Sequence, residues 1–590
     1  MEMSEFDISL KSRRLSFLLT LRGALLTEVL TSVSAAVLAA LVCSNLASAQ
    51  TFPVSGVVLN AVTQAPLANV ELTLTQRLAD DGPATATTSN EQGGFRFEPV
   101  PLGKYYLSAK RTGYGTQLLN QREGFSTLVV TGPTVDNTAI VFRLRPRSGI
   151  SGTVTDEDNE PVRHAQVWLF RKHVQNGVAG THRQFQLDTA ETGNFRFADL
   201  EPGTYYIAVI AAPWYAQQAG MQTRRRVRFG DATDEIPDPP RSPLEVAYPL
   251  TWFGNATEAA SATPVVLGAG ENPKIAINLQ PVAALRLKVM APPGADPNNG
   301  RNMQIMMEGP DGTSMGVNAM QSFTAPGFML FSGLAPGHYR VQSMEFTQNV
   351  SNQQVLNATY IQNVDLTADQ TVAIQGQPQG VISGTVVSDE PLGAGAYISM
   401  RALRGGQTFG AAIEPKAEAQ AGGYQGTFRF EGEPIPRGRY EVVVPSQGGV
   451  SGSDVVVASV AVNGAAVSTH LISLSGADTQ LSVRTVHGKL AQIEGFVTQD
   501  DHPTPGVPVF MVPDDVELRE SLTRRDLTDS DGSFTLQSVP PGRYTAFAVA
   551  DGFDLEYANP EIVKPYLAQG IPVTVAPGAS LQLKLPVLPH

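Results

Sequence analysis

Cysteine is all but absent. Cys43 is the single one in 590 residues, and it stands in an apolar leader. Disulfides and thiol chemistry are therefore excluded from the rest of the chain, and whatever folds there must be held by its apolar cores. Charge is sparse: Asp, Glu, Lys and Arg make up 16%, against the usual ~25%. The balance is acidic, with a net charge of −13, which argues against nucleic acid as a partner because phosphate binding needs a basic face. Beyond the leader no uncharged run reaches the length of a membrane span.

The leader has its own grammar. Arg13, Arg14 and Arg22 precede the uncharged run "VLTSVSAAVLAALVCSNLASAQ", and Ala47-Ser48-Ala49 is a small-x-small cleavage pattern. Residues 1–49 read as an export signal, with an uncleaved anchor as the alternative. Cys43 follows Leu41-Val42, which is not the small residue that a lipidation signal places before its cysteine. The expected location is periplasmic, outer-membrane-associated or extracellular.

Glycine and proline are plentiful, at 55 and 42 residues, which favours short strands joined by turns. One phrase recurs: "GGFRFEPVPLGKYYLSA", "GNFRFADLEPGTYYIAV", "GFMLFSGLAPGHYRVQS", "GTFRFEGEPIPRGRYEVVV" and "GSFTLQSVPPGRYTAFA". Its turn glycines are Gly103, Gly203, Gly337, Gly438 and Gly542. Those intervals have the size of a domain, not of a solenoid repeat of 20–50 residues. Inside a copy the period is two: Phe195 and Phe197, then Tyr205, Ile207 and Val209, share one face of a hairpin. The Pro-Gly pair predicts a type II turn with glycine at positive φ. About fifty residues upstream stands a second phrase, "VSGVV" (54–58), "ISGTV" (150–154), "ISGTV" (382–386) and "IEGFV" (493–497). The third copy has "LRLKV" (285–289) in its place, without the glycine. The expected fold is all-β: a tandem array of about five Ig-like antiparallel β-sandwiches. The boundaries read as 50–146, 147–281 with a long insertion at 210–262, a divergent 282–377, 378–488 and 489–590. Linkers are short, as in "FRLRPRSGISG", so a semi-rigid rod of roughly 150–200 Å is expected.

The order h-x-G-x-V, then P-h-x-x-A/V-x-h-x-L, then G-x-F-x-F-x-x-h-x-P-G-x-Y resembles the carboxypeptidase regulatory-like domain, a transthyretin-like sandwich. The resemblance extends to multi-module exported bacterial proteins. It implies the fold and says little about activity; in other proteins such modules accompany peptidases, outer-membrane receptors and adhesive stalks.

Reactive constellations are missing from the sequence. None of the eight histidines sits in H-E-x-x-H or has Glu three residues on, so the zinc site of a carboxypeptidase is not encoded. There is no G-x-S-x-G elbow and no phosphate-binding glycine loop. His173 and His182 flank a turn, and "TDSDGSF" (528–534) has the look of a calcium loop, but both lack further ligands and read as ordinary loop and turn. Only Lys288 stands where a first-strand lysine would support a Lys–Asn crosslink. No metal and no cofactor is expected.

One anomaly remains. All three tryptophans fall in the second module, and its insertion carries "APWYAQ", "QTRRRVRFGD" and "YPLTWFG". Trp214, Tyr215, Tyr248, Trp252 and Phe253 are the candidate ligand-binding residues, as an aromatic platform for a sugar ring or a partner protein, flanked by Arg224, Arg225 and Arg226. The alternative is that these rings cap the sandwich end. The function expected is that of an exported, non-catalytic spacer, adhesive or carbohydrate-binding-like array with polysaccharide or an envelope protein as partner. The alternative is an accessory partner of an outer-membrane transporter or of a secreted enzyme.

Overall fold

The computed structural model describes residues 50–590 except 78–83, 217–240, 292–299, 326–327, 349–353, 376–379, 393–394, 404–407, 417–422, 431–434, 436, 445–453, 468–469 and 489. Residues 1–49, read from the sequence as an export signal, and the run Arg224–Arg226 lie outside the described residues. Among the described residues regular structure is almost entirely strand. The α-helices are Arg519–Leu522 and Pro560–Gln569, and no described helix is long and apolar enough to cross a membrane.

Buried apolar side chains gather in five main cores, each drawn from one stretch of chain: residues 54–144, 150–279, 287–374, 382–483 and 491–585. These stretches are called units 1 to 5. Alternation produces the cores. In the strand Gly103–Arg111, Tyr105, Leu107 and Ala109 are buried and the residues between them are not, as pleating requires. Unit 1 is a sandwich of two sheets. One has the order 140–144, 55–60, 94–96; the other has 85–88, 71–76, 103–111, 115–118, with 129–131 also paired to 103–111. Unit 2 repeats the plan.

The sheets are not purely antiparallel. In every unit the first strand pairs in parallel with the last: Ser55–Asn60 with Ile140–Leu144, Ser148–Thr155 with Lys274–Asn278, Leu285–Met290 with Gln370–Ala373, Ile382–Ser388 with Thr479–Gly488, and Ala491–Gln499 with Ser580–Leu588. A parallel neighbour needs a long connection, and the rest of each unit supplies it.

This pairing explains the upstream glycine. Gly56, Gly152, Gly384 and Gly495 each lie opposite a hairpin phenylalanine, Phe95, Phe195, Phe428 and Phe534. A Cβ there would stand 2.0–2.6 Å from a carbonyl oxygen of the last strand. At Gly152, Gly384 and Gly495 it would also meet the phenylalanine ring. Unit 3 places Leu287 opposite Phe331 instead.

The Pro-Gly phrase works differently from the expected turn. Gly103, Gly337, Gly438 and Gly542 have no positive φ, which falls instead on Gly93, Gly193 and Gly532 at the head of the hairpin. The turn glycine opens the outgoing strand, and a Cβ on Gly103, Gly337, Gly438 or Gly542 would stand 3.2–3.6 Å from the ring of the tyrosine two residues later. That tyrosine is the anchor. The hydroxyls of Tyr105, Tyr205, Tyr339 and Tyr544 donate to the carbonyls of Pro101, Glu201, Ala335 and Pro540, at 2.7–3.0 Å. Each phenol thereby closes the turn that precedes it.

The array is not a rod. Unit 5 returns to unit 1 and also meets unit 2, where Ala558 N–H donates to the Gly177 carbonyl at 3.2 Å. Short linkers alone do not give a rod, because contacts between residues remote in sequence, such as Lys104 with Asp529, join units 1 and 5. The second α-helix, unforeseen from the sequence, begins with Asn559 capping Glu561 N–H and Pro560 in the first turn, a recognised start signal. It covers the outer face of unit 5, where Tyr566 stacks on Phe547 at 5.8 Å.

Candidate functional site

The five aromatic residues of the unit 2 insertion do not share one exposed face. Trp252 is only 2% exposed, with its ring centroid 5.4 Å from that of Phe170. Phe253 packs against the unit 2 core and Tyr248 lies within it. Trp214 is 81% exposed and meets Tyr215 edge-on at 5.7 Å. The hydroxyls of Tyr215 and Tyr248 both donate to the carboxylate of Glu157, the latter at 2.9 Å. Burial alone would raise the Glu157 pKa, but these hydroxyls and its own backbone N–H outweigh burial and hold it below the ordinary value. In return Tyr215 is pushed up to about 12, first by burial and then by Glu157. Trp252, Tyr248 and Phe253 thus pack inward, Tyr215 is half-buried against Glu157, and Trp214 stands in solvent.

The described end of the insertion is a clamp between units 2 and 3. Arg286, in the first strand of unit 3, donates through Nε and Nη2 to both oxygens of Glu245, each at 2.7 Å. The pair is buried, a place where charges persist only with matched geometry. The strand Val246–Ala247 pairs with Val282–Ala283, and Arg241 forms an ion pair with Asp369.

His173 and His182 do meet, with ring centroids 5.0 Å apart. Among the described residues no group of three or more His, Cys, Asp or Glu gathers to hold a metal ion. Lys288 lies over the Phe328 ring at 5.1 Å.

The "TDSDGSF" stretch has a role that its sequence did not declare. It is a turn, with Gly532 N–H donating to the Asp529 carbonyl at 2.9 Å. The equivalent turns of units 1 and 2 carry Asn90 and Ala190; here the turn inserts into unit 1. Asp529, 4% exposed, pairs with Lys104 at 2.6 Å and accepts from the Leu128 N–H at 3.2 Å. Ser530 N–H donates to the Leu128 carbonyl at 2.8 Å, and Val130 N–H donates to the Ser530 hydroxyl at 2.9 Å. Burial raises the Asp529 pKa, and Lys104 only partly offsets that. Beside the turn, the Arg525 guanidinium lies 5.0 Å from the Phe125 ring centroid and within 6 Å of Phe510 and Tyr557. Arg122 covers Phe553 at 4.5 Å and pairs with Asp551.

Next to this junction opens a cleft of about 580 Å³, inside the ~300–1,000 Å³ range of small-ligand sites. Its floor is the outward face of the unit 5 strands Ala491–Gln499, Ser533–Val539 and Ser580–Leu588, and its wall is the edge of unit 1 at Gln76, Arg77, Gly103 and Lys104. Glu494 is held from both sides: Gln492 donates to Oε1 at 2.6 Å and Gln582 to Oε2 at 2.8 Å. Phe496, 47% exposed, also lines the floor. Sequence reasoning passed over these residues, yet a signal was there. Position 496 follows the repeat glycine, where the other copies carry Val57, Thr153 and Thr385. An aromatic on the outward phase of that strand is the departure.

The sequence model of the carboxypeptidase regulatory-like domain matches residues 53–136 and 149–233. The matched segments fall in units 1 and 2. The cleft wall, Gln76 to Lys104, therefore lies in the first matched segment. Among curated proteins no match is found. Solved structures with detectable likeness include a minor pilin of Streptococcus agalactiae, 15% identical over 39% of this chain and 97% of the pilin, with a TM-score of 0.18. The TIE protein of Bacillus anthracis is 11% identical over 74% of each chain, with a TM-score of 0.17. The major pilin subunit BcpA of Bacillus cereus is 10% identical over 74% of this chain and 99% of its own, with a TM-score of 0.14. At such scores no functional inference follows from these three.

Proposed function

We propose that this chain is an exported, non-catalytic array of five β-sandwich modules, bounded near 50–146, 147–281, 282–377, 378–488 and 489–590. It acts as a surface or adhesive protein at the cell envelope, and polysaccharide or an envelope protein is its partner. The observation that carries this reading is the closure of the array. The last module reaches across the sequence to the first through Lys104–Asp529, and a cleft that neither module has alone opens beside the contact. A working surface shared by modules from opposite ends of a chain suits binding; the module repeat accounts for the remaining strands without calling on a reactive cluster.

The test is binding of the purified chain from residue 50 onward to isolated cell envelopes, run beside turnover assays on peptides, esters and glycosides. Saturable envelope binding without turnover is expected. Turnover of any of these substrates would overturn the non-catalytic reading, and absence of envelope binding would overturn the surface role.

A further inference from the structure

The cleft between units 1 and 5 has a chemistry that selects its occupant. Four of its lining side chains are primary amides: Gln76, Gln492, Gln537 and Gln582. An amide offers both donors and acceptors, which matches a hydroxyl group and is indifferent to the sign of a charged ligand. The charges that line the cleft are mixed. An anion would meet Glu494 and Asp531, and a cation would meet Arg77 and Lys104, so neither sign of ligand is favoured. The carboxylate of Glu494 is fixed by two flanking amides and keeps lone pairs for further donors. Phe496 adds a flat apolar face beside this polar row. A single exposed phenylalanine needs no explanation on an open surface. This one lies on the floor of a walled cleft among hydroxyl-matching groups.

We propose that the cleft is a binding site for a neutral oligosaccharide. Phe496 stacks on the C–H face of a sugar ring, Glu494 accepts from hydroxyls, and the Gln492, Gln582, Gln537 and Gln76 amides exchange hydrogen bonds with the rest. The site is composite. Its floor comes from unit 5 and its wall from unit 1, so the Lys104–Asp529 contact that holds the two units together is also what builds it. This inference rests on the surface-binding reading above and deepens it.

The probes are a panel of neutral linear pentasaccharides (cello-, xylo-, manno- and chito-pentaose), titrated calorimetrically into the chain from residue 50 onward. At least one binds. Phe496→Ala and the pair Gln492→Ala/Gln582→Ala each weaken it at least tenfold, and Trp214→Ala leaves it unchanged. All these positions face solvent, so their thermal unfolding should match that of the parent chain. Lys104→Glu, which removes the ion pair with Asp529 at the cleft wall and leaves the floor unchanged, should weaken binding as well. Failure of every pentasaccharide, or binding indifferent to Phe496→Ala, overturns the proposal. If saccharide binding fails while envelope binding persists, the ligand assignment is wrong and the surface role stands. If a pentasaccharide is bound and then cleaved, the site stands and the non-catalytic reading falls.

Discussion

A missing methyl group governs the seam of each unit that has the glycine. At Gly56 a Cβ would stand 2.0 Å from the Ile140 carbonyl oxygen, and backbone held in a parallel ladder cannot step aside cheaply. Gly56→Ala should cost about 1–3 kcal/mol, the range of an overpacked core. Hydrogen exchange of unit 1 amides should register that loss while unit 4 amides stay unchanged. Asp526 makes a second prediction at this scale. Burial pushes its pKa up to about 6, against the pull of the Thr535 and Leu527 N–H groups. The folded state therefore holds this proton more tightly than the unfolded chain does. The associated stability is complete at pH below about 4 and is lost as pH rises through about 6. Asp526→Asn should stabilise the protein at pH 7.5 and flatten that loss between pH 4 and 7 in denaturant titrations; an unchanged pH profile would refute the assignment.

Among the elements, the described end of the unit 2 insertion is a fastener. Its Glu245 pairs with Arg286 away from solvent, so Arg286→Met alone leaves a buried carboxylate without its countercharge. That change should destabilise the junction of units 2 and 3 by about 3–5 kcal/mol. The double variant Arg286→Met/Glu245→Leu should recover most of the loss, as thermal unfolding can test. Alternation announced the strands themselves: Phe195, Phe197, Tyr205 and Ile207 are buried on schedule. The insertion was harder to read. Trp252 and Trp214 look alike in sequence, yet one packs on Phe170 and the other is open to water. What separates them is a strand pairing, Ala208 with Trp252, which no local pattern specifies. The tyrosine anchors were half legible. The P-G-x-Y spacing was plain, but the bond from each phenol four residues back was not, because the turn had been assigned to the wrong glycine conformation.

For the whole molecule, the decisive contacts join residues remote in sequence. Lys104 and Asp529 are 425 positions apart, and neither looks unusual in its own repeat, so closure of the array was invisible from the chain alone. The same holds for the cleft, whose Phe496 stood out only as one aromatic on an outward phase. Lys104→Glu sets like charges together beside Asp529 and should release unit 5 from unit 1. Small-angle scattering should then show a larger radius of gyration, and the swap Lys104→Asp/Asp529→Lys should restore compactness. No expansion in the single variant would mean that the aromatic contacts of Arg122 and Arg525 suffice to keep the ends together.

The parallel pairing of first and last strands carries a consequence for a protein under tension. Force entering a unit at the start of its first strand and leaving at the end of its last pulls the two strands lengthwise past each other. Their bridging hydrogen bonds are then loaded together, in shear, and do not unzip one at a time. Five such seams in series make a tether that yields stepwise, each rupture paying out one unit's length of chain while its neighbours hold.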